Sequence, residues 1–512
     1  MNTHAASEQG QEGKLLQGIL RHGIERPDAE ALICGEDHLN WGELRKRVLV
    51  LAGAIRSRVG AEGGRVALVG DVGLDLTVGY LAAIASGNCA VPLQTSLTSE
   101  ALAGMIRDCE PALVFAGSSW LDTATGAVDT DMHVVCLDDG SLRQFLAGAE
   151  LLDDAVAAAP EAPFNIIYSS GTTGRPKGIV HSHSTRYRQA ARAMFGFGPH
   201  STMLLATPLY SNTTLLPMLS TLFHGGRVVM MRKFDAERYL DLAEEYGATH
   251  TMLVPVQYRR ILDAESFARR ALSRFEVKQC TGAPLAAEDK RRIAAGWPGR
   301  MLEVYGLTEG GCSCLLDVTR HPDKLHTVGR PQPGNDVRVI DEDGRDMPPG
   351  QRGEIIGRSS MMMSGYFRNP QATEAFYWRD RDGTVYHRTG DIGVFDEDGF
   401  LTLVDRKKDV IISGGFNVYA SDLEGVLLDH PEIAEAAVIG VPSPQWGETP
   451  LGLVVTRPGA AIEASELLGW ANARLGKMQR LSGIELRAEL PRSAVGKVLK
   501  QELKRPYWGK NR

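Results

Sequence analysis

Between the apolar run Phe164–Tyr168 and the apolar pair Ile179–Val180 the chain carries Ser169-Ser170-Gly171-Thr172-Thr173-Gly174-Arg175-Pro176-Lys177-Gly178. A buried strand, a loop of small and hydroxylated residues and a returning strand make a cradle for an anion. Glycines let backbone N–H groups turn toward a ligand, hydroxyls add donors, and lysine adds a point charge. The run is not a GxxxxGK[ST] loop, and GxGxxG, HExxH and GxSxG are absent. Their absence lowers the case for a Walker-type NTPase, a Rossmann dehydrogenase, a zinc protease and an α/β-hydrolase.

The rest of the chain predicts an α/β setting for this loop. Short apolar strands at Arg65–Val69, Ala90–Leu93, Pro111–Phe115, Val228–Met230, Met252–Val254 and Leu302–Val304 alternate with helical spacing, as at Lys14–Arg21 and Asn40–Val59. That alternation implies largely parallel sheets flanked by helices. From about residue 335 the texture changes. Two Asp-Glu-Asp-Gly turns, at Asp341–Gly344 and Asp396–Gly399, sit between apolar runs and predict antiparallel β-structure over 335–405. The charge cluster Asp405-Arg406-Lys407-Lys408-Asp409 closes that region. Beyond it, Ser421 and Glu424 are spaced as a capping box for a helix to about Asp429. Strands at Ala436–Val441, Leu451–Val455 and Ile484–Leu486 and a helix at Ala464–Leu475 complete a small α+β unit. The expectation is a large body over 1–404, a boundary at 405–409 and a small domain over 410–512.

A chain of 512 residues is long enough for several domains, and 56 glycines, about 11% against an average of ~7%, suit many turns and close backbone approaches. A net charge of −7 gives no global attraction to nucleic acid or anionic lipid. The seven cysteines form no CxxC pair. With a polar start lacking a signal-peptide core and no long apolar run, they point to a reduced, cytoplasmic protein without a membrane span.

The segment Tyr168–Gly178 resembles the signature of the adenylate-forming superfamily, which includes acyl-CoA synthetases, firefly-type luciferases and nonribosomal-peptide adenylation domains. Further motifs follow in the family's order. Tyr305-Gly306-Leu307-Thr308-Glu309 resembles YGxTE, and His387-Arg388-Thr389-Gly390-Asp391 resembles (Y/H)xTGD. Asp405–Asp409 resembles the hinge GRxKD with aspartate in place of its glycine. Ser413-Gly414-Gly415-Phe416-Asn417-Val418-Tyr419 resembles SGGxNxY, and Pro491–Lys497 resembles PRxxxGK. The resemblance extends from about Ala31 to Lys500. Two departures lie in the C-terminal part: Ala420 replaces the usual proline after Tyr419, and Met478-Gln479-Arg480 lacks the proline often found near that helix end.

The resemblance implies residue roles. Ser169, Ser170, Gly171, Thr172, Thr173, Gly174 and Lys177 would cradle the phosphates of ATP, and Gly282, Ala283 and Pro284 would wall the adenine on which Tyr305, beside Gly306, stacks. Thr308 would touch the α-phosphate and Glu309 would hold Mg²⁺, a hard ion that prefers carboxylate oxygen. Asp391 and Arg406 would contact the ribose, and Lys408 would be the pivot on which a mobile C-terminal domain turns. Lys497 would bridge the carboxylate and the α-phosphate, two anions that repel as the acyl-adenylate forms. Ser413, Gly414 and Gly415 would admit coenzyme A in the thioester step. Tyr210, Ser211, Asn212, Thr281, Gly310, Gly311 and Cys312 would line the acyl pocket, the glycines deepening it and Ser211 standing where many aryl-CoA ligases have histidine.

The implied activity is a carboxylic acid:CoA ligase acting on an aromatic, alicyclic or medium-chain monocarboxylate. No carboxylate in Pro208–Thr214 would anchor an α-ammonium, which disfavours an amino-acid adenylation module. The intact Ser413–Gly415 ranks a carrier-protein-loading ligase lower, and a luciferase-like oxygenase shares every motif. The expected partners are the small molecules, the acid, ATP and CoA, with no nucleic acid and no membrane span, and the oligomeric state is left open.

Overall fold

A computed structural model describes residues 11–60, 63–129, 133–169, 176–492 and 498–508. The chain divides into two compact units. One comprises Met1–Leu325, Gln332–Asp336 and Arg358–Trp378, and the other His326–Pro331, Val337–Gly357 and Arg379–Arg512.

The first unit is built on two sheets with helices between and around them. One sheet is seven-stranded, in the order Gly365–Tyr366, Lys177–Ser182, Pro163–Ser169, Cys89–Pro92, Arg65–Val69, Leu113–Ala116 and His133–Cys136. Its middle is parallel, as the strand–helix alternation predicts, because each strand returns through a helix such as Leu74–Ala85. Pro163–Ser169 and Lys177–Ser182 instead run antiparallel, because the phosphate loop joins them directly. The other sheet runs Ser313–Asp317, Arg300–Gly306, Val277–Cys280, His250–Leu253, Thr202–Leu205, Arg227–Met230, Glu30–Cys34 and Asp37–Asn40. It is parallel from Arg300–Gly306 to Glu30–Cys34, with antiparallel strands Ser313–Asp317 and Asp37–Asn40 flanking that run.

The helix Trp41–Val59 begins where its spacing predicts. Asn40 accepts from the Glu43 backbone N–H at 2.8 Å while Glu43 accepts from that of Asn40 at 3.1 Å, a reciprocal cap. Its Trp41, Leu44, Val48 and Ile55 are fully buried in the core formed with Leu74–Ala85.

In the second unit, Gly353–Ser359, Val385–Phe395 and Leu401–Arg406 pair antiparallel, matching the β-structure expected before residue 405. The turn Asp396–Gly399 joins the last two strands. Asp396 Oδ1 accepts from the Asp398 and Phe400 amides, and Gly399 takes φ +78. A further sheet, Phe416–Val418, Ile411–Ser413, Gly447–Thr456 and Ile433–Ser443, takes Gly483–Leu486 as a parallel neighbour of Gly447–Thr456.

The capping box expected at Ser421 and Glu424 is not made. The helix spans Ala420–Leu428, with Tyr419 at its N-cap and no side-chain cap bond. Asp405 Oδ2 accepts from the Ser421 amide at 3.2 Å, while Glu424 accepts from the Val438 amide and pairs with Lys500, both at 2.7 Å. A tertiary partner outcompetes the local cap because it satisfies a charge as well as an amide. Among the described residues, no helix is long and apolar enough to cross a membrane.

Candidate functional site

The two strands beside the phosphate loop set its ends. Tyr168 pairs with Gly178 and Ser169 with Lys177 in the antiparallel register, so Ser169 and Lys177 face each other at the loop's base. Ser170, Gly171, Thr172, Thr173 and Gly174 lie outside the described residues. Gly178 is required by packing, because a Cβ there would sit 2.9 Å from Ile166 Cγ2 and 3.3 Å from the Tyr168 ring. The Tyr168 hydroxyl donates to Asp108 Oδ2, fastening the strand's end to the helix Ser99–Cys109.

The segment following Arg300–Gly306 lies close by. Lys177 Nζ sits 5.0 Å from the centre of the Tyr366 ring, and the Tyr366 hydroxyl donates to Glu309 Oε1 at 2.9 Å. Burial and the Glu309 carboxylate both push the Tyr366 phenol above its usual range, so it remains a donor. Tyr366 thus links the lysine of one motif to the carboxylate of another. The sequence reading missed it, since a Gly-Tyr pair carries no chemical signature of its own.

Thr308 is held through its backbone. His181 Nε2 donates to the Thr308 carbonyl at 2.7 Å, and Arg186 Nη2 approaches His181 Nδ1 at 3.2 Å. A guanidinium only donates, so Nδ1 is the acceptor and the proton is on Nε2. Burial and the neighbouring Arg186 hold the His181 pKa well below the ordinary histidine value, so the ring is neutral. Neither His181 nor Arg186 was expected at the site.

Glu309 is fixed along its main chain as well, its carbonyl accepting from the Met363 amide at 2.8 Å. After it, Gly310 and Gly311 take φ +73 and +85, and a Cβ on Gly310 would lie 2.2 Å from the Met361 carbonyl oxygen. Here the absence of a side chain is demanded by a left-handed turn packed against backbone. Cys312 is buried.

The segment expected to wall the adenine follows Val277–Cys280 and is tied to the neighbouring strand Arg300–Gly306, which carries Tyr305. Thr281 Oγ1 donates to the Val304 carbonyl at 2.9 Å, and the Leu285 amide donates to Glu303 Oε1 at 2.8 Å. Gly282 has φ +90. Gly282, Ala283 and Pro284 are therefore held between two bonds to one strand.

Of the residues expected around the acyl group, Tyr210 donates to Ser96 Oγ at 3.4 Å, with burial raising its pKa. The Ser211 hydroxyl caps the helix Asn212–Phe223 by accepting from the Thr213 amide at 3.2 Å. Asn212 Oδ1 accepts from Arg186 Nη2 at 2.9 Å.

In the second unit, Asp391 and Arg406 are register partners on adjacent strands, and Arg406 Nε lies 2.7 Å from Asp391 Oδ1. Within the cluster Asp405–Asp409, Lys407 and Lys408 are exposed and Asp409 is buried, and Lys407 and Asp409 are both paired. Lys407 Nζ donates to Glu354 Oε2 at 2.9 Å, Asp409 pairs with Lys504 at 3.3 Å, and partial desolvation lowers the Lys408 pKa. Gly414 and Gly415 form the turn between Ile411–Ser413 and Phe416–Val418, with φ +58 and +83. Positive φ at both central residues is the type I′ hairpin pattern, which accounts for two consecutive glycines. Lys497 lies outside the described residues. Arg492 and Val498, on either side, form an antiparallel bridge.

Among the described residues no cluster of three or more His, Cys, Asp or Glu could hold a metal. That suits Mg²⁺, which is commonly held by one or two protein carboxylates together with water and substrate phosphates. Glu309 is an oxygen donor of that kind.

A family model described as "AMP-binding enzyme" matches residues 21–367, and one described as "AMP-binding enzyme C-terminal domain" matches residues 422–497. The chain is similar to a feruloyl-CoA synthase of an Amycolatopsis species, 32% identical over 501 residues that cover 95% of this chain and 98% of that protein. It is also similar to an indoleacetate–CoA ligase of Aromatoleum aromaticum, 29% identical over 510 residues that cover 96% of this chain and 98% of that protein. Among solved structures, ATP-bound MatB from Rhodopseudomonas palustris superimposes with a TM-score of 0.86 at 30% identity, covering 96% of this chain and 99% of that one.

Proposed function

The chain belongs to the family of AMP-binding enzymes, within the adenylate-forming superfamily, and from that premise we propose that this acid–thiol ligase works in two steps on a monocarboxylic acid larger than acetate. In the first, carboxylate and MgATP give acyl-AMP and pyrophosphate. In the second, the thiol of coenzyme A displaces AMP to give the thioester. The acid is aromatic, alicyclic or medium-chain, in keeping with the aryl and arylacetyl acids in the names of the two relatives above.

The observation that carries this reading is the bridge from Lys177 through Tyr366 to Glu309. It gathers a cation and an oxygen ligand beside the phosphate loop, the two groups a polyphosphate with its Mg²⁺ requires. Mg²⁺ bound there would act as a Lewis acid, neutralising phosphate charge. Glu309 would hold the ion, with Tyr366 orienting its carboxylate. Lys177 would face the phosphates across the loop from Ser169. The Thr308 hydroxyl would contact the α-phosphate, its backbone anchored by neutral His181. Asp391 and Arg406 would contact the ribose. Lys497 would neutralise the approaching carboxylate and α-phosphate. Rotation about Lys408 within 405–409 would then exchange Lys497 for Ser413–Gly415, whose turn gives the narrow pantetheine arm a path.

The test is a panel of acids assayed for ATP- and acid-dependent pyrophosphate release, followed by CoA-dependent AMP release. Turnover is expected on aryl, alicyclic or medium-chain monocarboxylates. Fastest turnover on acetate or malonate, or adenylate formation with no thioester, defeats the proposal.

A further inference from the structure

Arg186 is a fully buried cation with no acidic partner among the described residues. It is 0% exposed, and burial lowers its pKa only to about 10, so it stays charged at neutral pH. Nε donates to Asn165 Oδ1 at 2.7 Å and Nη1 to Gln189 Oε1 at 2.9 Å. Nη2 serves His181 Nδ1 at 3.2 Å and Asn212 Oδ1 at 2.9 Å. Every partner is neutral. An isolated internal charge is costly, so this cluster pays with four acceptors for holding a cation in place.

One consequence concerns Asn212. Because a guanidinium has no acceptor, the oxygen of the Asn212 amide must face Arg186, and the planar group then turns its NH₂ the opposite way. Asn212 is half-buried at the start of the helix Asn212–Phe223, and its Nδ2 has no hydrogen-bond partner among the described residues. The same guanidinium binds His181, which holds the Thr308 carbonyl, so the amide stands two side chains from the segment that carries Thr308 and Glu309. The amide is therefore a fixed, polarised donor at one of the positions expected from the resemblance to line the acyl pocket, while the guanidinium behind it is occupied by its own acceptors.

We propose that Asn212 is a specificity-determining residue: Arg186 orients its amide so that the pocket selects acids whose tail carries a neutral oxygen acceptor, such as a phenol, ether or carbonyl, over hydrocarbon isosteres. This rests on the ligase reading above and narrows its substrate class. A hydrocarbon tail leaves the donor unpaired, and sites built around a hydrogen bond reject analogues that lack the partner.

The experiment compares kcat/KM for aryl acids identical except for methyl, methoxy, hydroxyl or carboxylate at one ring position, in the wild type, Asn212→Leu and Asn212→Asp. The aspartate variant keeps the side-chain size, gives Arg186 a counter-ion and removes only the donor, so it serves if the leucine variant folds poorly. The wild type is expected to prefer the better oxygen-bearing acid over the methyl acid by roughly tenfold, the scale of one hydrogen bond. Both variants are expected to bring that ratio to about one. A wild-type ratio near one, an unchanged ratio in Asn212→Asp, or fastest turnover on the dicarboxylate overturns the proposal. If no acid at all supports pyrophosphate release, it is the ligase reading itself that fails.

Discussion

Glu303 and Lys290 form an ion pair in the interior of the first unit, each side chain only 3% exposed. Glu303 also accepts the Leu285 amide, and Lys290 donates to the Leu325 carbonyl at 2.7 Å. Burial raises the Glu303 pKa and Lys290 opposes that rise. The carboxylate that ties the Gly282–Leu285 segment to the Tyr305 strand is thus kept in the core by a cation delivered from the helix Ala287–Gly296.

Breaking this pair from one side leaves the other charge buried. Glu303→Leu or Lys290→Met is expected to destabilise the protein by about 3–5 kcal/mol, and the double variant by much less than the sum. Denaturant unfolding of the four proteins checks this. Full additivity would show that the two charges do not depend on each other.

Tyr366→Phe removes the hydroxyl that holds Glu309 while keeping the ring over Lys177. ATP binding in the presence of Mg²⁺ is expected to weaken roughly tenfold, the loss of one hydrogen bond to a charged group. Binding without Mg²⁺ should change little. Calorimetric titration with and without the metal reads the difference, and equal weakening in both would assign Tyr366 to the phosphate loop instead of to Glu309.

The two half-reactions should be separable. Lys497→Ala is expected to slow adenylate formation by roughly 10²–10³ and to leave thioester formation from supplied acyl-AMP largely intact. Gly414→Leu should do the reverse. Since Gly414 has φ +58, leucine also strains the turn, so Gly414→Asn is the control, because asparagine tolerates this conformation. Single-turnover kinetics of each step checks the set. Equal damage to both steps by Lys497→Ala and Gly414→Leu would exclude an alternating C-terminal domain.

Glu354 reports on the second unit through pH. Burial would raise its pKa, but hydrogen bonds from Arg388 and Lys407 outweigh it, and the carboxyl lies below its ordinary 4.5. A depressed folded-state value means the stabilisation is complete above the unfolded-state value and fades as pH falls through the folded one. The stability difference between the wild type and Glu354→Gln should therefore be constant above about 4.5 and shrink below it. Unfolding curves over a pH series measure this; a gap that widens on acidification would reverse the sign of the coupling.

What the sequence by itself determined is local. The strand alternation, the antiparallel pair around the phosphate loop, the Asp396–Gly399 turn and the capped helix at Trp41 each follow from residues within a turn or two of one another. The motif residues Lys177, Thr308, Glu309, Asp391 and Arg406 were legible because their spacing along the chain carries a family resemblance. Only the tertiary structure decided which side chains orient them. His181 reaches Thr308 across 127 positions and Tyr366 reaches Glu309 across 57, and no local pattern marks such pairs. Arg186 looks like an ordinary helical arginine until folding removes water from it and leaves Asn165, Gln189, His181 and Asn212 as its acceptors. Glu424 fits a capping box by spacing, yet Lys500 and the Val438 amide claim it, because a half-buried carboxylate is better satisfied by a cation and an amide from a distant helix and strand than by its own helix end.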